Sequence, residues 1–78
     1  MNETTSLKLK GFTFFAKLQF DNQEGGYYCE ITSPDDSGTL LTDSWDTERE
    51  AWVDAGEISL DWATSLEAQR MRAAGAPA

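Results

Sequence analysis

The chain has no histidine and one cysteine, Cys29, among its 78 residues. The first absence excludes Ser-His-Asp and Cys-His catalysis and zinc sites of the Cys/His type. The second excludes an internal disulfide. Bases are also scarce: six Lys and Arg stand against fourteen Asp and Glu, a formal charge of −8. That balance disfavours unaided binding to nucleic acid or to an anionic membrane. No run approaches the roughly 18 apolar residues of a membrane span. Residues 1–6 lack the basic-then-apolar order of a signal peptide. With the lone cysteine, these absences place the expected location in the cytoplasm. Without an internal repeat or linker, residues 1–78 read as one domain, with 1–5 and 73–78 frayed.

Enough apolar material is present for a core: 40% of residues are hydrophobic, including three Trp, two Tyr and four Phe. The first half has period two. Phe12, Phe14, Ala16, Leu18 and Phe20 alternate with Thr13, Phe15, Lys17, Gln19 and Asp21, the pattern of a strand with one face buried. Leu7 and Leu9 alternate on odd numbers, so a bulge or bend at Gly11 is expected to return both sets to one face. Residues 21–26 form a turn by composition, and Tyr27, Cys29 and Ile31 mark a second strand in a hairpin with the first. Residues 33–38 form another turn, and 39–45 a less regular third strand in which Leu40-Leu41 leaves the facing ambiguous.

From Thr47 the period becomes about 3.6. Thr47 and Glu50 match a Thr-x-x-Glu capping box. Trp52, Ala55, Ile58, Ser59, Trp62 and Leu66 share one face, and Arg70 and Arg72 suit the helix C-terminus. Gly56 permits a kink or a break. The expected fold is α+β: a three-stranded antiparallel sheet followed by one long helix packed on it, in the order βββα.

Charge is unevenly placed. Thirteen of the fourteen acids lie between Asp21 and Glu67, where Arg49 is the one base. Glu50, Asp54, Glu57 and Asp61, spaced 4, 3 and 4, form a helical stripe about 60° wide, away from the Trp52/Trp62 face. Successive rungs are about 5.4 Å apart, comparable with phosphates along a nucleic-acid strand. The stripe reads either as a solvated face or, with Asp43 and Asp46, as a surface that attracts a basic partner. Val53 and Leu60, with Gly56 between them, flank the stripe as a small groove for another chain or as loose packing against the sheet edge.

Asp35, Asp36 and Asp43 lack the spacing of a calcium loop, and turn chemistry explains the first two. Cys29 alternates with core positions and reads as a buried hydrophobe. The tryptophans read as core, since the surrounding charge repels nucleic acid. Nothing assembles a nucleophile, a base and an orienting group, so no catalytic residue, metal or cofactor is expected.

Glu24-Gly25-Gly26-Tyr27 entering the second strand, the turn with Pro34, Asp35 and Gly38, and Asp46-Thr47-Glu48-Arg49-Glu50-Ala51-Trp52 followed by Ala55 and Ile58 carry a resemblance. From Phe14 to about Trp62 the chain resembles the HicB-like domain of bacterial antitoxins. Where that family has Pro-Asp-Leu-Pro-Gly-Cys, this chain has Ser33-Pro34-Asp35-Asp36-Ser37-Gly38. The resemblance implies a partial RNase-H-like βββα module without catalysis that blocks a small mRNA-cleaving toxin. Family members usually add a C-terminal DNA-binding domain for autorepression. The chain stops at Ala78, so that function is expected to be missing. In composition the chain also resembles phage anti-CRISPR and other anti-defence proteins, which are short, acidic and non-enzymatic.

The expectation is therefore a non-enzymatic inhibitor of a basic nuclease or nucleic-acid-binding protein, either a toxin or a CRISPR effector, that contacts no nucleic acid directly. A structural homodimer joined through sheet edges or through Val53 and Leu60 is the third reading. Replacing Asp54, Glu57 and Asp61 together by Lys is expected to abolish partner binding, or make it insensitive to salt, with the fold intact.

Overall fold

The computed structural model describes residues 3–35 and 38–75. Met1, Asn2, Ser37 and the last three residues lie outside the described residues, and so does the turn acid Asp36. The elements run β1 (Glu3–Leu9), β2 (Phe12–Asp21), β3 (Gly26–Thr32), β4 (Thr39–Leu41) and α1 (Glu48–Gly75). The strands form an antiparallel meander in the order β1-β2-β3-β4, with α1 on one face. The expected α+β architecture holds, with four strands instead of three. Regular structure among the described residues begins at Glu3 and ends at Gly75.

The additional strand is β1. Lys10 and Gly11 both have positive φ, 53° and 82°, so the parity change after Leu9 is a two-residue hairpin turn and not a bulge. Because Leu7 pairs with Phe14 and Leu9 with Phe12, the odd and even apolar sets still share one face. Across β2 and β3, Ala16 faces Ile31 and Leu18 faces Cys29, which extends that face. Phe14, Ala16, Cys29 and Ile31 are wholly buried there.

The β2–β3 turn is organised by Asp21, whose Oδ1 accepts from the backbone N–H groups of Gln23 (2.9 Å) and Glu24 (3.1 Å). Gly25 takes φ +73°, whereas Gly26 is buried and is needed for space: a Cβ there would sit 2.9 Å from the Trp45 carbonyl oxygen. The next turn is tied by Ser33, whose hydroxyl donates to Asp35 Oδ1 (2.9 Å) and accepts from the Gly38 N–H (3.2 Å).

β4 is shorter than the expected 39–45 strand. Thr39, Leu40 and Leu41 pair with Thr32, Ile31 and Glu30, a register that would place residue 44 opposite Tyr27. Trp45 occupies that place instead, so one extra residue bulges out between Thr42 and Trp45. Thr42 starts the bulge by filling both backbone positions of Cys29: its N–H donates to the Cys29 carbonyl (3.0 Å), and its Oγ1 accepts the Cys29 N–H (2.9 Å). The bulge resolves the Leu40-Leu41 ambiguity. Leu40, opposite Ile31, and Trp45, opposite Tyr27, both stand on the helix side, and Leu41 stands on the outer face.

α1 is one continuous helix of 28 residues that runs through Gly56 without a break. Its first turn carries Glu48 and Glu50 and its last turn Arg72, as the helix dipole favours. The buried line along it is Ala51, Ala55, Ser59 and Ala63, while Trp52, Ile58, Trp62 and Leu66 are only half-buried beside it. This differs from the helical period read from sequence, which centres the large side chains on the buried face. Close approach of the helix to the sheet leaves room at the centre for small residues, and the large apolars fill the diverging flanks. The Ser59 hydroxyl is fully buried with no hydrogen-bond partner among the described residues. Near the C-terminus, the Arg70 guanidinium lies 4.3 Å from the Phe12 ring centroid, and Lys10 Nζ meets Glu67 Oε1 at 3.5 Å. Within the described residues no helix is long and apolar enough to cross a membrane.

Candidate partner-binding surface

Each candidate residue has a definite place on or beside α1. Glu50, Glu57 and Asp61 are exposed and form the acidic stripe on an unbroken helix. Glu50 also serves the cap: Thr47 Oγ1 accepts the Glu50 N–H (3.2 Å) and donates to Glu50 Oε1 (3.0 Å). The reciprocal half of the expected box thus runs through the hydroxyl, not the Thr47 amide.

Asp54 departs most from the sequence reading. It is half-buried, and its Oδ2 accepts the Trp45 indole N–H (2.9 Å) and the Asp43 backbone N–H (3.2 Å). It ties the 42–45 bulge to the helix. The expectation that Lys at 54, 57 and 61 leaves the fold intact is therefore corrected for position 54, where Lys would strand two donors. The side chains of Asp43 and Asp46 are exposed beside this junction.

Two clefts open along the flank of α1 that faces β4 and the bulge. The first, of about 230 Å³, is lined by Trp45, Arg49, Glu50, Val53, Asp54 and Glu57. The second, of about 500 Å³, lies between Leu40 of β4 and Ile58, Asp61, Trp62, Thr64 and Ser65 of α1. The stripe residues form their acidic rims, three on the first cleft and Asp61 on the second. Val53, 57% exposed, lines the first, whereas Leu60, 48% exposed, lines neither. Between Val53 and Leu60 the surface at Gly56 is open: a Cβ there would meet nothing within 4 Å.

Trp45 and Arg49 line the first cleft without having been legible as site residues. Alternation reads Trp45 as core, and only the bulge, which rephases the chain after Leu41, turns its half-buried ring toward the helix flank. Arg49 carried a signal, as the one base in the acidic window.

Cys29 is buried at the back of this region, and burial, aided by the nearby Asp54 carboxylate, pushes its thiol up to about 11 from 9.0. Two results are expected. In the native protein the thiol resists alkylation at neutral pH and reacts freely once denatured. As pH rises above 9.0 the unfolded chain releases this proton while the folded chain keeps it, so stability is lost between about 9 and about 11. Urea midpoints across that window should fall more steeply for the parent than for Cys29→Ala; equal slopes would refute the assignment.

Among the described residues no group of three His, Cys, Asp or Glu side chains is placed to hold a metal ion. Comparison with protein-family models, with curated proteins and with solved structures found no match to this chain.

Proposed function

We propose that the protein is a non-enzymatic inhibitor that binds a basic nuclease or nucleic-acid-binding protein through the β4-facing flank of α1. The observation that carries this reading is the joining of charge and shape on that flank. Glu50, Glu57 and Asp61 are exposed along the rims of two clefts whose walls are Trp45, Val53, Leu40, Ile58 and Trp62. Acids on a rim raise the on-rate and select a basic partner, and apolar walls supply burial. A face kept for solubility has no use for the clefts. The HicB-like resemblance makes a toxin ribonuclease the first target to consider.

The test is capture from host lysate by the tagged protein, parent against Glu57→Lys/Asp61→Lys. Both positions are exposed and neither side chain makes a hydrogen bond or ion pair among the described residues, so the variant should melt like the parent. A small basic ribonuclease retained by the parent, with retention by the variant reduced at least about tenfold, is the expected result. A large RNA-guided or DNA-binding complex with the same dependence would assign the protein to anti-defence inhibition. Equal retention by both forms would reduce the stripe to solvation, and recovery of the chain alone would favour the homodimer.

A further inference from the structure

We propose that the cleft beside Trp45 receives an arginine side chain of the basic partner, its guanidinium stacked on the indole and paired with Asp54. This rests on the inhibitor reading above and names the contact at its centre.

Three features converge on that occupant. The Trp45 ring and Val53 give one wall an apolar surface suited to methylene groups and a flat cation. Among the described residues Asp54 commits only Oδ2, which leaves Oδ1 as an acceptor held in a fixed place. Glu57 and Glu50 add two carboxylates at the rim. An apolar guest would strip water from these carboxylates without pairing them, which is costly. An anion would be repelled.

The cleft is also held in shape before any guest arrives. The Trp45 backbone exchanges two 2.7 Å hydrogen bonds with Tyr27, and its indole N–H is tied to the helix through Asp54. A rigid aromatic wall loses little freedom on binding. A planar guanidinium that stacks on this wall and donates to Oδ1 fits the cleft better than the compact, strongly hydrated ammonium of lysine. Arg49 stands exposed at the rim and forms no ion pair among the described residues, so Asp54 Oδ1 and the Glu57 carboxylate remain open to a guest.

The experiment is titration of the 15N-labelled protein with octa-arginine and, at matched charge, octa-lysine, following the indole N–H signals of Trp45, Trp52 and Trp62. The Trp45 signal should move and saturate while the other two stay still, with octa-arginine binding about tenfold more tightly than octa-lysine. Val53→Arg, at an exposed position, places the chain's own guanidinium in the cleft. It should weaken octa-arginine about tenfold and octa-lysine far less. Equal affinity for the two peptides overturns the proposal. So does octa-arginine binding that leaves Trp45 unmoved; if Glu57→Lys/Asp61→Lys also abolishes that binding, the acidic flank stands without the cleft. Binding of neither peptide counts against both the cleft and the flank.

Discussion

Phe14→Ala is expected to remove about 3–5 kcal/mol of stability, the range for truncating a fully buried aromatic. A chain of this length has about 4–12 kcal/mol in total, so the variant should lose between about a quarter of its stability and all of it. The size of the effect follows from position. Phe14 is wholly buried at the centre of the helix-facing sheet, with its ring centroid 5.4 Å from that of Trp62. Its neighbours cannot close the gap, because the helix line above them is already made of Ala and Ser in close contact with the sheet. Urea denaturation followed by far-UV circular dichroism gives the number. A loss below about 1 kcal/mol would mean that the helix settles into the space and that the core is not close-packed there.

Gly26→Ala is the second large effect, and it is local. The new Cβ would lie 2.9 Å from the Trp45 carbonyl oxygen and 3.3 Å from Ser44 Cβ, and the first of these is backbone held by the Tyr27 bridge. Relief requires the 42–45 segment to move away, at a cost of about 1–3 kcal/mol. The Tyr27 and Trp45 amides should lose hydrogen-exchange protection, and capture of a basic partner should fall with them. Gly56→Ala is the matched control: a Cβ there meets nothing within 4 Å, and in a helix interior the change should gain about 1 kcal/mol. Unchanged protection at Trp45 in Gly26→Ala would show that the bridge does not hold the segment.

The architecture was legible because its signals are local. The even-numbered apolar run of β2, the Gly-Gly turn and the change to a 3.6 period at Thr47 each report on a few consecutive residues. β1 shows in the sequence as apolar residues out of phase, but parity alone does not separate a bulge from a two-residue hairpin; the positive φ of Lys10 decides it. The candidate surface was only half legible. Glu57 and Asp61 are where helical spacing puts them. Asp54 has the same spacing, yet it is bound to Trp45 because of a bulge produced by the Thr42 hydroxyl, thirteen residues from the amide it satisfies. Spacing along a helix reveals which side chains share a stripe and is silent on which of them another element has already taken.

The meander has a consequence for how the molecule is assembled. Its strands are joined through two, four and six residues, so each pairing closes a short loop and makes a small demand on chain entropy. Docking of α1 is the long-range event, and it comes last in the order of synthesis as well. Until residues 48–75 dock, the sheet can already pair, but with the row from Phe14 to Ile31 open to water and to other chains. Aggregation before the helix docks is then a hazard of this topology. The acids already emerged from Asp21 to Asp46 would keep such sheets apart by mutual repulsion before the helix arrives to cover them.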